Sequence, residues 1–222
     1  MALLVVFLFL VFPVSAFAEA EPVYQIFYDA AEPARSVGIL GENIVETGSI
    51  YEHFRVISFE SAAIVVQDLQ STDTQKWLRE ESEELDPELY QKARHLFIVK
   101  QMRSIYEAQM KYFHKFGEYA SRLEALVEQE FLAGGFEEEG KQGYHFSIAE
   151  TGHSKNWALE SQREPTFLAV AESQESDEEF YFSVDQFGNV RYTLDKDQVK
   201  WGPVWDYADH SGGPSQRVLD LG

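Results

Sequence analysis

Between Asp86 and Gly117 the chain reads as one long helix, and a helix of that length is stable only when a large apolar surface lies against it. Asp86-Pro87-Glu88 supplies an N-cap, a proline at the first helical position and an acid in the first turn. Ile98, Met102, Ile105, Tyr112 and Phe116 recur at steps of three, four or seven, with Ala108 and Gln109 between them. Leu89, Ala93, Leu96 and Phe97 extend this stripe backwards. Gly117 can take the left-handed conformation that ends a helix, and Ser121-x-x-Glu124 has the form of a capping box opening a second helix through Val127. A single apolar stripe predicts a single apolar partner surface.

The residues that follow supply such a surface. After Gly134-Gly135, β-branched and aromatic runs predict strands over 144–149, 157–160, 167–171, 180–184 and 190–194. Asp185-Gln186-Phe187-Gly188-Asn189 joins the last two as a hairpin turn, in which Asp185 is expected to accept backbone hydrogen bonds. Upstream, Gly41-Glu42-Asn43, Thr47-Gly48-Ser49 and Glu60-Ser61 punctuate four short runs, over 35–40, 43–46, 53–59 and 62–67. A unit of that size buries little by itself and must pair with a partner or lean on the rest of the chain. Residues 19–34, with Pro22 and Pro33, read as an extended leader, and residues 69–85 as an acidic linker with room for a helical turn near Trp77. The expected fold is therefore α+β: a long helix packed on one antiparallel sheet over residues 86–195, preceded by a small all-β meander over 35–68 and followed by an aromatic tail over 196–222.

Charge narrows the list of partners. The net charge of −20 repels nucleic-acid phosphates and anionic lipid headgroups, so neither is an expected partner. Much of the excess lies in short runs, Glu80-Glu81 with Glu83-Glu84, Glu137 to Glu139, and Glu175 with Asp177 to Glu179, which read as solvated loops. There is no cysteine, hence no disulfide framework and no thiolate chemistry. Residues 1–18 are almost wholly apolar and end in Ala16-Phe17-Ala18, which reads as an export signal, with contact to a membrane expected only if that segment is retained as an anchor. An exported, acidic, cysteine-free chain fits a bacterial periplasm or cell surface.

The order of motifs carries a resemblance. Ile105-Tyr106-Glu107-Ala108-Gln109, Tyr112, Gly117-x-Tyr119-Ala120 and Leu123-x-x-Leu126 come first, then Gly143-Tyr144-x-Phe146, then Phe180-Tyr181-Phe182-Ser183-Val184-Asp185-x-x-Gly188-Asn189-Val190-Arg191. Together they resemble the globular domains of type IV pilins and of type II secretion pseudopilins, over roughly residues 86–195. That resemblance implies a spine helix on a short antiparallel sheet and a non-enzymatic role among envelope assembly or secretion proteins. The usual prepilin leader, running directly into the spine helix, is missing here, so the resemblance points to an exported pilin-like domain and not to an ordinary filament subunit. More faintly, the rhythm of residues 35–68 resembles the small periplasmic β-modules of secretion and pilus-assembly proteins.

Phosphate-cradling glycine loops, HExxH and GxSxG are absent, and the six histidines lack metal-ligand spacing. No catalytic residue, cofactor or metal is therefore expected; Asp195-Lys196-Asp197 carries carboxylates that could ligate calcium with the tail but does not match the calcium loop near the end of some pseudopilins. The residues singled out for contact are Trp201, Trp205 and Tyr207, around Pro203. They either clamp the tail onto the domain or present an aromatic face to a protein or sugar. The alternative to an assembly protein is accordingly a periplasmic module that binds a sugar or peptide through this tail.

Overall fold

The computed structural model describes residues 23–79, 85–136, 141–153, 165–174 and 180–205. Among these, eleven strands form three antiparallel sheets around one main helix. The expectation of a helix on one sheet is corrected: two sheets enclose the helix, and a third stacks beyond.

The first sheet has the order β1-β2-β3, from Val23–Phe27, Val37–Leu40 and Asn43–Glu46. The second has the order β4-β5-β6-β7, from Ile50–Tyr51, Phe54–Glu60, Ala63–Asp68 and Thr74–Leu78. Consecutive hairpins build both, and Val23 bridges Arg79 where β7 ends beside β1. The region expected as one small meander is thus divided between two sheets, with β1 drawn from the expected leader and β7 from the expected linker. Trp77 sits on a strand, not a helical turn, and meets the Phe54 ring edge-on at 4.7 Å. Ile26, Leu40 and Val45 pack with Phe54, Val56, Ile64 and Val66 between the two sheets. Gly38 permits their close approach, because a Cβ there would lie 2.8 Å from Ile64 and from Phe59.

Helix α1 spans Pro87–Phe116. Asp86 caps it by accepting from the Glu88 N–H, and Gly117, at φ 76°, ends it while donating to the Phe113 carbonyl. Its buried residues include Ala93 to His95, Phe97 to Val99, Met102, Ile105 and Ala108. Adjacent buried positions cannot share one narrow stripe, so the helix needs cover from two sides, with Arg103, Glu107 and Lys111 left on its exposed edge. Phe97 and Tyr90 meet Phe27 of β1, while His95 packs on Phe180 and Phe182 across the helix.

That opposite cover is the third sheet, in the order β11-β10-β9-β8, from Val190–Thr193, Tyr181–Asp185, Pro165–Ser173 and Tyr144–His153. Phe146, Ala169, Ala171, Phe182, Val184 and Tyr192 form its helix-facing side. Asp185 accepts from the Phe187 N–H in the β10–β11 turn, as the sequence suggests. The expected strand over 157–160 lies outside the described residues.

The joint after α1 is held by Gln109, whose buried amide donates to the Ala120 carbonyl and accepts from the Ala120 N–H, both at 2.9 Å. Tyr119 stacks on Phe113 at 4.8 Å and also touches Phe167. Helix α2 then runs Leu123–Glu128, but its N-cap is Arg122, with no side-chain cap bond, so the expected Ser121 capping box does not form.

Candidate functional site

Two places combine polar or aromatic chemistry with defined geometry. The first is a buried polar seam between the N-terminal strands and the rest. Asp29 follows β1 and is 2% exposed. Its Oδ1 accepts from the Ala31 and Glu32 N–H groups, and its backbone N–H donates to the Ser36 hydroxyl. Lys141, just before β8, donates to Asp29 Oδ2 and to Gln101 Oε1 of α1, both at 3.1 Å, with its ammonium 4.1 Å from the Phe136 ring centre. One ion pair therefore ties together residues 29, 101 and 141 from three elements.

Burial alone would raise the Asp29 carboxyl, but Lys141, Gln101 and the Glu32 N–H outweigh it and hold the carboxyl below its ordinary range. For Lys141 burial is the larger effect and lowers the amine, with Asp29 opposing it. The carboxylate is thus well surrounded by donors, whereas burial weighs more heavily on the ammonium. A cleft of about 570 Å³ opens over this seam, lined by Tyr28, Ala31, Gly134, Gly135 and Lys141 among others. Sequence reasoning missed this pair. Neither Asp29 nor Lys141 sits in a motif, and 112 positions separate them.

The second place is the tail chosen from the sequence. After β11 the chain turns through a short 3-10 helix at Lys196–Gln198, capped by Asp195. It lies over the outer face of the third sheet, where the Ser183 hydroxyl donates to the Val199 carbonyl at 2.7 Å. Lys196 pairs with Glu172 at 2.8 Å, and Lys200 pairs with Glu150. The tail then returns along the free edge of β11. Tyr192 N–H donates to the Pro203 carbonyl, Val204 bridges Arg191, and Trp205 N–H donates to the Val190 carbonyl.

Gly202 is fitted so closely to β11 that a Cβ would stand 2.2 Å from the Tyr192 carbonyl oxygen. Trp205 is buried against Phe182 and Tyr192, which makes it a clamp. Trp201 is the opposite case, 78% exposed. Tyr207 lies outside the described residues, as do all three acidic runs.

A second cleft, of about 660 Å³, lies between the β2–β3 turn and the start of α1, lined by Tyr24, Asn43, Asp86 and Lys92 among others. Neither cleft has Trp201 or Trp205 in its wall. Among the described residues no group of three or more histidine, aspartate or glutamate side chains is arranged to hold a metal, and no helix is long and apolar enough to cross a membrane. Comparison with known proteins returned no matching family model, no matching curated protein and no matching solved structure.

Proposed function

We propose that this protein is a non-enzymatic, exported component of the bacterial envelope that acts by protein-protein contact in a type IV pilus or type II secretion-like assembly. The enclosure of α1 carries this reading. In the family that residues 86–195 resemble, the apolar first half of the spine helix packs on other copies to build a filament. Here most residues from Ala93 to Gln109 are buried within the chain, between the first and third sheets, with Arg103 and Glu107 exposed. Contacts with other proteins therefore fall to other surfaces, as suits an accessory component and not a polymerising subunit. The buried polar seam is consistent with this, since its hydrogen bonds hold elements of the fold together.

The test is fractionation of the native host followed by mild solubilisation of its envelope. The protein is expected outside the cytoplasm and in a complex with at least one pilus or secretion component. Recovery in the cytoplasm, or from the envelope without any such component, overturns the proposal.

A further inference from the structure

The tail holds an exposed tryptophan on a backbone that is fixed at many points. Trp201 N–H and Gly202 N–H both donate to the Gln198 carbonyl, at 2.8 and 3.0 Å. Arg191 Nη1 donates to the Gly202 carbonyl at 3.0 Å, Ser183 holds Val199, and Trp205 anchors the end in the core. An indole presented this way loses little further backbone freedom on binding, which is the condition under which a single aromatic anchor contributes most to an interface. Leu194, 50% exposed, leaves the same end of β11, and Val204 on the returning segment is 45% exposed. Large apolar groups on a pinned segment are costly to leave in water, and packing among the described residues accounts for Trp205 but not for Trp201.

Charge says what covers them. Lys196 and Lys200 are turned to Glu172 and Glu150 of the chain's own sheet, while Asp195 and Asp197 lie exposed beside Leu194. A chain of net charge −20 also repels a second copy of itself and draws cationic surfaces. We infer that the 194–204 strap is a docking surface for a basic protein, with Trp201 as the anchor entering an apolar pocket rimmed by lysine or arginine. The inference rests on the protein-contact reading above and names the surface and the chemistry of the partner.

Site-specific photocross-linking in native envelopes tests it, with benzoylphenylalanine placed at Trp201, Leu194 and, as exposed apolar controls on the second sheet, Ile57 and Leu78. The expected result is an adduct from positions 201 and 194, at least fivefold over 57 and 78. Its cross-linked peptide should lie in a lysine- or arginine-rich surface of a different protein, and its yield should fall several-fold between low salt and about 0.5 M salt. Trp201→Ala should abolish the adduct from position 194 while the tail stays protease-resistant. Equal labelling at the controls, an acidic or neutral partner surface, an adduct to a second copy of this chain, or no adduct at 201 overturns the inference. Adducts to pilus or secretion proteins from positions 57 or 78 alone would leave the assembly reading standing without the strap. A basic partner from outside any such assembly would do the reverse.

Discussion

The N-terminal and C-terminal regions are both antiparallel meanders, but they bury their faces by different means. Strands β1 to β7 stack as two sheets over an aliphatic and aromatic core, whereas β8 to β11 have no second sheet and use α1 instead. The first sheet joins the two solutions. Ile26, Leu40 and Val45 serve the core shared with the second sheet, while Phe27, Val37 and Ile39 serve the core shared with the helix. A sheet buried on both faces gives neither region a boundary of its own, so the first sheet is an inner layer of one structure and the second sheet an outer one.

The strongest way to break this comparison is Phe97→Ala. Phe97 lies 6.2 Å from Phe27 and is 1% exposed, at the contact between helix and first sheet. Its truncation is expected to cost about 3–5 kcal/mol. If the layers are one cooperative unit, Trp77 fluorescence and helical circular dichroism will lose stability together; a transition that splits, with Trp77 unshifted, would show two independent regions.

Lys141→Met comes next, because it strands the Asp29 carboxylate in a nearly closed site, at about 3 kcal/mol. Adding Asp29→Asn is expected to restore part of that loss in a double-mutant cycle. The pair also has a pH signature. A carboxyl held below its unfolded value of about 4 stabilises the fold above that value and ceases to do so as pH falls through the folded value. Asp29→Asn should therefore flatten the loss of stability below about pH 4, measured by denaturant midpoints. An unchanged slope would remove Asp29 from the acid response.

Trp205→Ala tests how much the tail belongs to the C-terminal core. It is expected to cost about 2–3 kcal/mol and to open the strap to proteolysis at Lys196 and Lys200 before global unfolding. Gly117→Ala is smaller, about 1 kcal/mol, since it forces a Cβ into the left-handed region at φ 76° with nothing nearby to clash.

How much of this was legible in the sequence follows from how far each cause reaches along the chain. Asp86-Pro87 and Gly117 were readable because a cap is decided within four residues, and the Asp185 turn for the same reason. Strand positions in the N-terminal region were readable from the turn residues that separate β-branched runs, whereas the bulge between Val56 and Ser58, which brings Phe59 inward out of alternation with Phe54 and Val56, was not. Strand β1 was not, because Tyr24 and Gln25 interrupt its apolar run between prolines, and β7 was not, because only Trp77 of its residues is buried. The Ser121 capping box failed because the chain stays non-helical one residue longer, through Arg122. Enclosure of α1 is the larger miss. Val99, off the predicted stripe, is fully buried because a second sheet arrives from the other side. Neither that arrival nor the Asp29–Lys141 pair leaves a local trace. In the tail, the sequence offered two roles for the same residue type, and only burial separates them: Trp205 is held in the core and Trp201 lies exposed.

Trp201→Ala is the smallest expected effect on the fold and the sharpest contrast with Trp205. With its side chain 78% exposed and its fixation made by backbone groups, truncation should change stability by less than about 0.5 kcal/mol. The strap should keep its protease resistance, since Ser183, Arg191 and Trp205 still hold it. Thermal and denaturant midpoints of the two variants, taken side by side, would then separate two residues four positions apart. One indole holds the tail in the core, and the other lies exposed on its surface. A loss for Trp201→Ala comparable to that for Trp205→Ala would mean that both serve the fold and that the exposed indole is not available for docking.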